Sequence, residues 1–169
     1  MKIAVAPVLA LASLAASAPA ISAPAPKLHV QTIEALAPLP LPYDEKADAA
    51  SAVAAAKAHA KASHKLLLID FGGNWCPDCR VLAGVMKQPE MRAFLQRHYQ
   101  MVTVDIGRFD RNMDIPAHYG FKELKGVPAV FIVDPKTDRL VNGKSVIALA
   151  DARTMTPQAI ADWLARWTK

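Results

Sequence analysis

The sequence predicts an α/β domain built on a small mixed β-sheet with helices on both faces. Three observations predict it. Short, nearly unbroken apolar runs stand at residues 65–71, 101–106 and 127–133, the pattern of strands buried on both faces. A helix-forming stretch separates the first two, which makes a βαβ unit. The third run passes through the turn Asp134-Pro135-Lys136-Thr137-Asp138 into a short fourth strand, a hairpin that makes the sheet mixed, and a helix closes the chain.

Composition sets the frame for that fold. At 169 residues and 53% hydrophobic, the chain has room for one domain with a core and for a tail, and it is not a wholly disordered polymer. Its 2 cysteines exclude both a disulfide-stapled miniprotein and an all-cysteine structural zinc site. The net charge of +5 comes from 20 Lys and Arg against 15 Asp and Glu. These basic residues are scattered, whereas a nucleic-acid footprint needs them concentrated on one face, so no nucleic-acid partner is expected.

The elements follow in order. Lys2, the uncharged Ala/Leu/Val-rich residues 3–16, and the small residues Ala16, Ser17, Ala18 and Ala20 have the layout of a secretory signal, assigned to residues 1–20. The apolar stretch is too short for a comfortable membrane span, and Pro19, Pro24 and Pro26 stop its extension. The mature chain is therefore expected in the periplasm or outside the cell, an oxidising compartment, with no membrane span. Residues 21–43, interrupted by Pro24, Pro26, Pro38, Pro40 and Pro42, read as a linker or N-terminal arm, and residues 44–169 as the domain. Asp44 is the expected N-cap of an alanine-rich helix over residues 45–64, with Lys57, Lys61 and Lys65 toward its basic end. After the first strand, Gly72 and Gly73 break the chain and residues 79–98 read as helix, kinked or broken at Pro89. A short helix over 112–119 ends at Gly120. Residues 139–141 form the fourth strand. Thr156 and Pro157 then start the last helix, whose stripe is Ile160, Trp163, Leu164 and Trp167.

The chemistry lies in Trp75-Cys76-Pro77-Asp78-Cys79, where strand gives way to helix. A thiol at a helix start meets unpaired backbone N–H groups and the positive end of the helix dipole, so its thiolate is stabilised. One helical turn brings the second sulfur within reach of the first. Such a pair can attack a disulfide and then free itself by intramolecular exchange, which makes Cys76 the expected nucleophile and Cys79 the resolving thiol. Pro77 is tolerated at the first helical position because its missing N–H has no helical partner. Other readings stand beside this one: a structural disulfide, which would close too short a loop to stabilise much; a zinc site shared with His59 and His64; or two inert buried cysteines. Asp70, inside an apolar strand, is either a satisfied core carboxylate or a desolvated proton acceptor for Cys79.

These residues together resemble the thioredoxin superfamily, over about residues 45–168. The strand ending at Phe71 and running into Gly-Gly-Asn-Trp-Cys-Pro-Asp-Cys, Asp70 six residues before Cys76, and Gly126-Val127-Pro128 opening the third strand carry the resemblance. It implies a thioredoxin-like sheet of about four to five strands, a buried acid at Asp70, a cis-proline at Pro128 facing the dithiol, and a docking surface of Trp75, Val127 and Pro128. It also implies thiol–disulfide oxidoreductase activity on client proteins, with the Cys76–Cys79 couple as redox centre and no cofactor or metal. Three positions depart from the family. Pro77 and Asp78 replace the usual Gly-Pro pair, and a carboxylate at Asp78 should disfavour the thiolate. Met101 falls where a lysine often accompanies the buried acid. With no histidine between the cysteines, the couple is expected to be reducing, which requires a membrane electron donor to recharge it. A soft-metal carrier for Cu(I) and a non-catalytic binding module are the competing function classes.

Overall fold

β1 (Leu66–Gly72) runs through the middle of the sheet with every residue buried, as its unbroken apolar sequence requires. It pairs in parallel with β2 (Tyr99–Asp105) and antiparallel with β3 (Ala129–Asp134), which pairs in turn with the short β4 (Arg139–Leu140), giving the order β2-β1-β3-β4. These relations are seen in a computed structural model that describes residues 22–168; the expected signal segment, residues 1–20, lies outside the described residues.

Alternation along β1 divides the core. Leu67, Ile69 and Phe71 face α1 (Ala49–Ala62) and α4 (Asp114–His118). Leu66 and Leu68 face α2 (Pro77–Met86), α3 (Pro89–His98) and α5 (Pro157–Ala165). Asp70 falls on this second side by the same two-residue period. The small inward residues Ala49, Val53, Ala56 and Ala60 explain why an alanine-rich sequence serves as α1.

The structure moves some boundaries. Asp48, not Asp44, caps α1, its carboxylate accepting from Ser51 N at 3.1 Å, while Asp44 instead accepts from Lys46 N in the preceding turn. The 79–98 helix is two helices. Pro89 cannot donate to the carbonyl four residues back, and Gln88 before it takes the extended ψ of 141° that a following proline favours. β3 starts at Ala129 because Pro128 has no N–H to give the ladder. Gly120, at φ +91°, follows the end of α4.

Residues 22–43 form an arm laid on the domain rather than a loose linker. Leu28, Leu36 and Tyr43 are buried. Gln158 of α5 binds Leu28 N and Pro26 O, and Arg80 of α2 donates to Leu39 O at 3.0 Å and Pro40 O at 3.2 Å. Prolines deny this segment a ladder of its own, so its carbonyls find side-chain donors on the domain. Among the described residues no helix is long and apolar enough to cross a membrane.

Candidate redox site

The site forms at the end of β1, where Gly72 is required by close approach. A Cβ there would stand 2.4 Å from Tyr43 Oη and 2.6 Å from Cys79 Sγ. Four residues on, Cys76 is the N-cap of α2, with Pro77 at the first helical position, and its Sγ accepts from Cys79 N at 3.2 Å. Both cysteines are free thiols, buried on the helix side of the turn. The hydrogen bond with the Cys79 side chain leads the effects that bring the Cys76 thiol down to about 7; backbone N–H groups assist, while burial and the Asp78 charge oppose. Cys79 moves the other way. Its interaction with Cys76, then burial and the Asp70 charge, hold its proton well above the usual thiol range. The two thiols are thus split, Cys76 lowered toward neutral pH and Cys79 raised away from it.

Asp70 is completely buried beneath this pair. Tyr43 Oη donates to its Oδ1 at 3.0 Å, and Oδ2 has no hydrogen-bond partner among the described residues. Burial pushes the carboxyl up to about 7, the Tyr43 hydrogen bond drawing it partly back. Of the two readings the residue type allowed, the satisfied core carboxylate does not fit this half-partnered group. Met101 lies opposite Leu68 in the sheet, and the hydrogen-bond donor that Asp70 has comes from the N-terminal arm.

Asp78 acts in the direction its charge predicts, opposing the Cys76 thiolate. It is not a bare charge, however: its carboxylate, 7% exposed, accepts from Arg153 N at 2.9 Å and pairs with Arg153 Nε at 3.1 Å.

Pro128 follows a cis peptide bond, as expected, and Val127 O lies 3.5 Å from Cys76 Sγ, which donates to it. Trp75 is 38% exposed, so it belongs to the surface. Its Nε1 donates to Gly107 O at 2.6 Å, the Arg108 guanidinium lies 4.4 Å from the ring centre, and Phe109 meets it edge-on. Sequence reasoning missed Tyr43, Asn74, Arg108, Phe109 and Arg153. Only Asn74, beside the dithiol motif, had a local signal.

His59 and His64 do not join the cysteines. They stand before β1 while the dithiol follows it, and seven residues at about 3.3 Å each place them roughly 20 Å apart. Among the described residues no group of three or more His, Cys, Asp or Glu side chains is placed to hold a metal.

A family model described as thioredoxin-like matches residues 48–135, which take in Asp70, both cysteines and Pro128. The chain belongs to the thioredoxin-like family. Among solved structures this thioredoxin-like protein is similar to the disulphide isomerase from Xylella fastidiosa Temecula1, with 39% identity and a TM-score of 0.70 over 75% of this chain and 96% of that one. It also matches the oxidised C-terminal domain of DsbD from Neisseria meningitidis, with 26% identity and a TM-score of 0.41 over 56% of this chain and 83% of that one. No curated protein matches the sequence. The family and the CxxC pair support thiol–disulfide oxidoreduction in general.

Proposed function

We propose that this protein is an exported thiol–disulfide oxidoreductase that reduces or exchanges disulfides of client proteins. The observation that carries the reading is the split between the two thiols. Cys76 caps α2 and is lowered to about 7, while Cys79 keeps its proton above a buried acid.

The chemistry balances as two exchanges. The Cys76 thiolate attacks a client disulfide sulfur, an S–S bond forms between them, and the client's other sulfur leaves as a thiolate that takes a proton from solvent. Cys79 then attacks Cys76 Sγ and its proton goes to the Asp70 carboxylate. The mixed disulfide breaks and the second client thiolate departs. The client has gained two electrons, and the Cys76–Cys79 pair has lost them. No cofactor enters, since the sulfur pair is itself the redox centre. Trp75, Val127 and Pro128 form the docking surface for an extended client segment, with Pro77 and Asp78 shaping the loop between the sulfurs.

The direction is reductive. A thiol near 7 matches the thioredoxin value of about 7 rather than the roughly 3.5 of a strongly oxidising dithiol. A reducing couple outside the cytosol must be recharged, so the reading includes a membrane electron donor. The likeness to the Xylella fastidiosa disulphide isomerase supports the exchange form of the same chemistry on misoxidised clients.

The test is trapping in the native host compartment. Cys79→Ser should accumulate mixed disulfides with client proteins, and Cys76→Ser none. Equal trapping by both variants, or by neither, contradicts the assignment. Stoichiometric copper in protein purified reduced and without oxygen would favour the carrier reading instead.

A further inference from the structure

The acid beneath the dithiol is reached through a residue that lies outside the matched family region. Tyr43 stands 27 residues before Asp70, at the end of the proline-rich arm, and is 4% exposed. Its hydroxyl donates to Asp70 Oδ1 at 3.0 Å. Beside it, next to the missing side chain of Gly72, stands Cys79 Sγ, with which the phenol also interacts. No direct hydrogen bond joins Asp70 to Cys79 among the described residues; the Tyr43 hydroxyl, bonded to Asp70 and standing beside Cys79 Sγ at Gly72, lies next to both.

The phenol is held there by a built scaffold. Tyr43 N donates to Asn74 Oδ1 at 3.1 Å, and Asn74 Nδ2 returns a bond to Tyr43 O at 2.8 Å, clamping the arm two residues before Cys76. Thr103 of β2 donates to Pro42 O at 3.2 Å, and Arg80 of α2 holds Leu39 O and Pro40 O. Residues 38–43, alternating proline with leucine before Tyr43, are stiff enough to keep a ring in place once anchored. A phenylalanine would fill the same apolar space, so the hydroxyl is the part that needs explaining.

From this geometry we infer that Tyr43 is a positioning residue of the redox site, its hydroxyl orienting the Asp70 carboxylate and relaying to it the proton of Cys79. As Cys79 Sγ attacks Cys76 Sγ, its proton passes to Tyr43 Oη while the Tyr43 hydroxyl proton passes to Asp70 Oδ1. The phenol ends neutral, and one proton has moved from sulfur to carboxylate. Burial, first, and then Asp70 and Cys79 hold the Tyr43 proton far above the normal phenol range, so the ring never carries charge through the step. The titratable groups facing the hydroxyl are Asp70 from β1 and Cys79 from α2, with Cys76 next to them. The N-terminal arm is thereby part of the active site.

The inference rests on the dithiol reading above, and one experiment separates the two. Reduced full-length mature protein is mixed with dithiobis(nitrobenzoate) in a stopped-flow instrument across pH 6 to 9. Attack by Cys76 releases one coloured thionitrobenzoate, and the resolving attack by Cys79 releases a second. Tyr43→Phe should leave the first phase within about two-fold and slow the second about ten-fold or more at neutral pH, at the low end of what proton transfer contributes. The midpoint of its pH profile should move up by about one unit, because the carboxylate loses the donor that favours its charged form. In an Asp70→Asn background the same change should add less than about two-fold, as expected for residues acting as a unit. An unchanged second phase in Tyr43→Phe, an equal loss in both phases, or a further ten-fold loss on top of Asp70→Asn would overturn the inference. Release of only one equivalent by the unaltered protein would overturn the dithiol reading itself.

Discussion

Two carboxylates are buried against the same pair of cysteines, and they are treated differently. Asp70, beneath the dithiol, has one hydrogen bond from a neutral phenol, a second oxygen with no partner among the described residues, and a pKa raised to about 7. Asp78, within the redox loop, is nearly as hidden but is bound by the backbone and guanidinium of Arg153. Burial is common to both; the partner decides. A buried acid without a cation has its proton affinity raised toward neutral pH, while an acid bound to arginine is fixed in place as a strut. On the proposed reading, the floor of the site serves proton transfer and its flank geometry.

The comparison breaks most readily at the floor. Asp70→Asn should slow resolution of a Cys76 mixed disulfide about 100-fold near pH 7, measured by the second phase of thionitrobenzoate release. Asp78→Asn should change it only a few-fold. Comparable losses from the two would erase the distinction.

Stability sharpens it next. The folded protein keeps the Asp70 proton to about 7, whereas the unfolded chain releases it near the ordinary 3.8. The native state therefore binds more protons between those values, and the stability of the reduced protein should fall as pH rises from about 4 to about 7. Asp70→Asn should remove that slope and stabilise the protein at pH 8 by up to about 4 kcal/mol, read from urea melts. At the flank the sign reverses. Arg153→Ala strips a partner from a buried acid and should cost about 1 kcal/mol, a modest loss because the arginine side chain is 59% exposed and its backbone bond survives. A stabilised Arg153→Ala protein would mean that the Arg153 pair does not hold Asp78 in place.

The smallest effect expected is on potential. Asp78→His exchanges a negative charge for one that can be positive beside the Cys76 thiolate, stabilises the reduced form, and should raise the couple by about 30 mV in glutathione buffers. No shift would show that this loop position shapes the turn without tuning the sulfur.

Much of the floor was legible in the sequence and little of the flank was. The strands announced themselves because β1 and β3 are buried on both faces, leaving no polar alternation to confuse them. Asp70 was visible as a single acid in an apolar run, and Cys76 and Cys79 as a pair at a strand-to-helix turn. Tyr43 and Arg153 were not. Each reaches the site from a segment far along the chain, where local pattern carries no information about what lies opposite. The proline-rich arm reads as a spacer until the donors on Arg80, Asn74 and Thr103 are seen to hold it. The α1 boundary was missed for a similar reason, since Asp44 and Asp48 are equally good caps by residue type and only Asp48 meets Ser51 N.

The most direct test of the account is the reduction potential of the Cys76–Cys79 couple. Protein equilibrated against glutathione and dithiothreitol buffers can be followed by the fluorescence of Trp75, which adjoins Cys76. A paired Asp78, a helix-capping Cys76 near 7 and no cation between the sulfurs predict a reducing couple, nearer thioredoxin at about −270 mV than the strong oxidant at about −120 mV. A value more positive than about −170 mV, above that of protein disulfide isomerase, would contradict it.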